Sequence, residues 1–147
     1  MIAVANDHTS LTLKKAVILK LESLGLSYTD YGALSEERCD YPVFGLRAAK
    51  AVASGECDKG ILLCGTGMGM ALTANKVKGV RCCVCSEPYT ALMSRLHNDA
   101  NMIAVGSRVV GDELALMIIE TFLNTAFEGG RHLNRVKMIM EIENDNV

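Results

Sequence analysis

In the stretch CGTGMGM, Cys64 to Met70, a thiol stands directly before three glycines on alternate positions. Glycines so spaced let the backbone turn sharply and approach a ligand, and the start of a following helix offers amides without an intrahelical partner. Gly65–Gly69 is thus a cradle for a phosphate or for an oxyanion formed during reaction. A cysteine at that mouth is placed where thiolate, a base and a nucleophile, is favoured. Two plainer alternatives stand beside this one: a tight strand-to-helix turn, and a cysteine that is only a small core hydrophobe. A dinucleotide fingerprint fits less well. It asks for G-x-G-x-x-G/A, whereas Met70 takes the third position and Gly69 falls one place early. Glu87 does lie about 20 residues on, where a ribose-binding acid would stand. That motif follows the first strand of its unit, however, and this one follows the third; no Walker lysine completes a phosphate loop either.

Other residues with usable chemistry lie where apolar runs end or begin. Asp7 and His8 follow IAVAN, and His97 opens HNDAN just before NMIAVG. Histidine and aspartate together supply general acid and base chemistry near neutral pH. A histidine ending a helix can instead cap its carbonyls, and that alternative stands for His97. Asp7, His8 and His97 are expected on loops at the same sheet edge as Cys64. The third histidine, His132, lies in GGRHLNR with Arg131 and Arg135. Those arginines, spaced i, i+4 on one helix face, suit an anionic group; a solvated basic face is the alternative. The cluster Cys82, Cys83 and Cys85 could suggest metal. Zinc asks for four ligands, commonly in two spaced pairs, and strand alternation sends Cys82 and Cys83 to opposite faces. These cysteines are read as core, and no metal site is expected.

Positioning these residues requires a packed scaffold, and composition supplies one. The 147 residues are 50% hydrophobic and 22% charged, which suits one domain with a sizeable core. A net charge of -2 with no block of like charges argues against a nucleic-acid surface. No apolar run approaches a membrane span, and the opening MIAVANDH lacks a signal-peptide pattern, so a cytoplasmic location with six reduced cysteines is expected. Short β-type runs alternate with helical patterns: IAVAN (2–6), SYTDYG (27–32), GILLC (60–64), VRCCVC (80–85) and NMIAVG (101–106). The third and fourth read as strands buried on both faces. Helices are expected from Ser10, as cap, to Gly25, from Asp40 onward, over 68–78, 87–97 and 111–125, and from about 130. The fold class is α/β: a three-layer α/β/α sandwich with a five-stranded, parallel, Rossmann-like sheet. Ligands in such sheets bind beyond the strand C-termini, here NDH, CGTGMG, CSEPY and GSR.

The blocks NDH (6–8), DYP (40–42), CGTGMG (64–69), ANKVKGVR (74–81), CSEPY (85–89), SRLHNDAN (94–101), GSRVVG (106–111) and EGGRHLNRV (128–136) resemble the ribose-5-phosphate isomerase B family. Their order and spacing match over nearly the whole chain. The wider group includes allose-6-phosphate and galactose-6-phosphate isomerases, and hexose 6-phosphate is the alternative substrate. A non-catalytic phosphate-binding module is a further alternative. The resemblance implies homodimers or homotetramers with sites built across the dimer interface, and neither metal nor organic cofactor. It implies that Cys64 moves a proton between C2 and C1 through a cis-enediolate, held by backbone N–H groups of Gly65, Thr66, Gly67, Met68 and Gly69. Some members carry a catalytic glutamate where Met70 stands. By the same resemblance His97, with Asp7, opens the furanose ring, and Thr66 and Asn98 bind sugar hydroxyls. His8, Arg108, Arg131 and Arg135 then bind phosphate. One departure is HTS at 8–10, where many members have small residues after the histidine.

Overall fold

The computed structural model describes residues 1–144. Its strands are β1 (Ile2–Asn6), β2 (Tyr28–Asp30), β3 (Lys59–Cys64), β4 (Cys82–Val84) and β5 (Met102–Gly106). All are parallel, in the order β2-β1-β3-β5-β4. The helices are α1 (Leu11–Ser23), α2 (Tyr41–Ala53), α3 (Met68–Ala74), α4 (Pro88–Asn98), α5 (Asp112–Asn124) and α6 (Arg131–Ile142).

Strand alternation divides the core in two. Val4, Ile61, Leu63, Ile103 and Val105 face Leu13, Val17 and Leu21 of α1 and Ile118, Ile119 and Phe122 of α5. Ala3, Ala5, Leu62 and Ala104 face Ala48, Ala49 and Val52 of α2 and Met70, Ala71 and Ala74 of α3. Three alanines on that second face leave room for α2 and α3 to sit close to the strands. This is the three-layer α/β/α sandwich expected from the sequence.

Several local expectations are corrected. Of the two runs read as doubly buried, β3 is buried along Gly60–Cys64, but β4 forms an edge of the sheet and Val84 is exposed. Its apolar run reflects a short strand with an open side. The helix expected over 68–78 stops at Ala74, because the Asn75 side chain bonds both the amide and the carbonyl of Cys82, each at 2.8 Å, much as a neighbouring strand would. Ser10 makes no side-chain cap; its hydroxyl meets that of Ser107 at 2.7 Å and joins the loops after β1 and β5.

The chain leaves β1 toward β2 on one side and β3 toward β4 on the other. The C-terminal ends of β1 and β3 therefore flank a topological switch point, where open α/β sheets form a crevice. Gly106, at the end of β5, keeps that crevice in shape. A Cβ there would lie 2.8–2.9 Å from the backbone of Thr66, so the glycine loop can pass only over a residue without a side chain. We expect Gly106→Ala to displace the loop and cost roughly 1–3 kcal/mol by overpacking. Thermal denaturation measured against the parent should show that loss.

Candidate active site

Cys64 ends β3 and is buried, with its Sγ accepting the amide proton of Gly67 at 3.1 Å. Gly67 makes this possible by taking φ +81°, a left-handed conformation that side chains disfavour. Thr66 is exposed, and its Oγ1 lies 3.3 Å from the Met68 amide. Met70, by contrast, is fully buried in the core against α2; its direction is inward, away from the loop's open side.

The loop after β1 faces this one. Asp7 Oδ1 accepts from both the amide (2.9 Å) and hydroxyl (2.6 Å) of Thr9, so the HTS departure builds an internal brace for Asp7. The amide of Cys39 donates to His8 Nδ1 at 3.4 Å. That bond needs a bare Nδ1, which leaves the ring proton on Nε2, free to donate to an anion. Arg108 follows β5, its amide bonded to the Gly65 carbonyl at 3.0 Å and its side chain alongside Gly65. No carboxylate pairs with Arg108, Arg131 or Arg135 among the described residues.

His97, Asn98, Arg131 and Arg135 are elsewhere, which corrects the expectation that His97 shares an edge with Cys64. The helices that connect parallel strands run back against them, so α4 begins beside the strand C-termini and ends beside the strand N-termini. The Asn98 and Asp99 carbonyls accept from Arg81, just before β4, and β5 starts at Met102. Cys64 pairs with Gly106 at the far end of β5. The length of β5 alone, roughly 13 Å, separates the two groups. Within one chain, therefore, Asp7 cannot act with His97.

Around His97 stands a group that sequence spacing only half revealed. His132 of α6 is buried and stacks on His97, with ring centroids 4.2 Å apart and planes within 10°. Glu128 Oε2 lies 3.9 Å from Nε2 of each ring, and the Glu128 amide is bonded to the Leu96 carbonyl at the end of α4. As metal ligands the three do not converge, since imidazoles bind ions in their own planes and these planes are nearly parallel.

Tyr41, in the DYP stretch, is the first residue of α2. A Cβ on Gly69 would fall 2.6 Å from its ring, so Tyr41 borders the glycine loop. Glu87, the would-be ribose acid, instead caps α4 through the Thr90 amide at 3.1 Å. Cys82 and Cys83 do point to opposite faces. Burial pushes both thiols up, and that of Cys85 to about 11, as suits core residues.

A family model described as Ribose/Galactose Isomerase matches residues 2–139. The chain belongs to the ribose/galactose isomerase family. Ribose-5-phosphate isomerase B of Escherichia coli is 51% identical over 142 residues, 97% of this chain and 95% of that one. The structure of Clostridium thermocellum ribose-5-phosphate isomerase B superposes with a TM-score of 0.96 at 49% identity, covering 99% of each chain. That of the Mycoplasma genitalium enzyme, with bound ribulose-5-phosphate, gives 0.94 at 39% identity, covering 98% and 96%. This member of the family is accordingly an isomerase with the family's α/β/α fold.

Burial holds the His132 imidazole below the usual histidine value of 6.5; His97 and Arg131 push the same way and Glu128 opposes them. A depressed value in the folded state means that the unfolded chain binds more protons just below pH 6.5. This part of the stability is present above 6.5 and is lost as pH falls through the lowered value. We expect His132→Phe to reduce the drop in melting temperature between about pH 7.5 and about pH 5.5, measured against the parent.

Proposed function

We propose that this isomerase interconverts ribose 5-phosphate and ribulose 5-phosphate, and that two copies of the chain complete each site. The observation that carries the chemistry is the Cys64 thiol bonded to the Gly67 amide inside a glycine loop, with Asp7, His8 and Arg108 on adjoining loops. Cys64 as thiolate removes the proton from C2 of the open-chain aldose. The electrons move into the C1 carbonyl and leave an enediolate, whose oxygen the loop amides receive. A proton passes from the C2 hydroxyl to the C1 oxygen, the same thiol returns its proton to C1, and the C2 oxygen becomes the ketone. Base and oxyanion donors must be adjacent because proton loss and charge development occur on neighbouring atoms. With Met70 committed to the core, no carboxylate follows the loop to replace Cys64.

The names of the relatives supply the substrate class: ribose-5-phosphate isomerases, one of them with bound ribulose-5-phosphate. The separation of His97, Asn98, Arg131 and Arg135 from Cys64 supports assembly from two copies. Met68, Leu72, Val84, Ile139 and Ile142, on α3, β4 and α6, are exposed apolar residues near the open edge of the sheet, where a second copy would cover them. In the assembled site Thr66 and the second copy's Asn98 contact sugar hydroxyls. His97 of that copy, with Asp7 of the first, opens the ring. His8 and Arg108 meet Arg131 and Arg135 of the second copy around the phosphate.

Complementation tests this arrangement. Cys64→Ala and His97→Asn should each be nearly inactive on ribose 5-phosphate. Co-refolded in equal amounts they should recover about a quarter of parental activity, because half the dimers are mixed and each mixed dimer has one intact site. Recovery fails if each chain carries a whole site, and substantial turnover by Cys64→Ala alone would rule out the thiolate base.

Replacing Arg131 or Arg135 by Ala should raise KM and also lower kcat, since remote phosphate binding orients the reacting carbons. Inorganic phosphate should compete with substrate in the parent and much less in either variant. Unchanged phosphate inhibition would return these arginines to a solvated face.

A further inference from the structure

We propose that His132 is a positioning residue for His97, fixing the plane of its ring from behind while Glu128 fixes the end that carries Nε2. The inference rests on the assignment of ring opening to His97. Opening a furanose requires a proton placed on the departing ring oxygen and another taken from the C1 hydroxyl. Both transfers depend on the direction of an imidazole's in-plane lone pair or N–H, so a freely rotating ring is a poor catalyst. His97 is itself partly exposed, at the last turn of α4, and among the described residues no close hydrogen bond holds its ring. Among the described residues, the aromatic surface against it is that of His132.

His132 is built for that task. It lies in the first turn of α6, its amide bonded to the Gly129 carbonyl at 3.0 Å, and its side chain is 5% exposed. Buried polar atoms nearly always find a partner, yet among the described residues His132 Nε2 has none within hydrogen-bond distance. The nearest charged group is Glu128, which is 3.9 Å away and equally far from His97 Nε2. An ordinary core position would be filled by an apolar ring at less cost. The orphan nitrogen is explained if Glu128 swings between the two rings: it accepts from His97 when that ring is charged and from His132 when that proton has gone to substrate. The backbone bond from Glu128 to Leu96 keeps the carboxylate in range of both.

The test compares two substrates in the full-length enzyme: ribose 5-phosphate, which must be opened, and 4-deoxyribose 5-phosphate, which lacks the hydroxyl that closes the ring. His97→Asn first checks the underlying assignment: equal losses on both substrates would overturn the ring-opening role itself. Given a selective loss there, His132→Ala should lower kcat/KM on ribose 5-phosphate by on the order of 10-fold to 100-fold. It should leave the ring-free substrate within about twofold and inhibition by inorganic phosphate unchanged. His132→Phe, which keeps a flat buried ring but offers Glu128 no nitrogen, should recover part of the loss, whereas Glu128→Gln should show the selective defect in milder form. A merely structural role predicts something else: the start of α6 would shift, Arg131 and Arg135 would move with it, and phosphate inhibition and both substrates would suffer together. That pattern, or parental activity in His132→Ala and Glu128→Gln, overturns the inference.

Discussion

The polarity of a parallel sheet governs what this molecule can do by itself. All five strands end at one edge, and the helices that link them return to the other. Loops after strands can converge on a ligand; a loop after a strand and the end of a helix cannot. Cys64, Asp7, His8 and Arg108 belong to the first class, and His97, Asn98 and the neighbouring Arg131 and Arg135 to the second. With the length of β5 between them, roughly 13 Å, no side-chain rearrangement brings the sets together. A second copy is the economical resolution, and the exposed apolar residues around β4 are the surface on which it would rest.

Within the first set, position is fixed by contacts between loops more than by the sheet alone. The hydroxyls of Ser10 and Ser107 tie the loop after β1 to the loop after β5. Ser107 and Arg108 in turn donate their amides to the carbonyls of Cys64 and Gly65. Three separate chain segments are thereby held to one geometry. Gly67 and Gly106 let the loop follow that path, one by its left-handed φ and the other by the missing Cβ beneath Thr66. A catalytic thiol gains from such rigidity, since errors of ~1 Å in a proton-transfer geometry can cost on the order of 10²-fold in rate.

Strand and helix order was legible because apolar runs and helical spacing report burial directly, and the α/β/α architecture followed from their alternation. The expected site residues were visible as blocks, but their mutual placement was not. His97 was put at the wrong edge although topology alone contains the correction: a residue at the end of a connecting helix precedes the next strand and so lies where strands begin. Asn75 shortened α3 through a pair of hydrogen bonds to Cys82, seven residues on, which no local pattern announces. Glu128 and the stacking of His132 on His97 were equally hidden, because they depend on where α6 packs against α4. Thr9 was noticed only as a departure, yet its hydroxyl is what holds Asp7.

A site divided between copies couples assembly to ligand. Arg131 and Arg135 are exposed and unpaired among the described residues, a state that water tolerates. If a second copy closes over them beside His8 and Arg108, cationic groups are gathered into a drier space without a carboxylate to balance them. Such an interface resists its own formation electrostatically while its apolar part favours it. A doubly charged phosphate would remove the repulsion, so the ligand proposed for these arginines would also be the counter-ion that such an interface lacks. Linkage then makes the effect mutual: a phosphate that binds the assembled form better than the single chain favours assembly by the same free energy with which assembly favours its binding. On the proposed assembly, substrate recognition and quaternary structure would draw on one electrostatic balance, set by arginines with no carboxylate partner among the described residues.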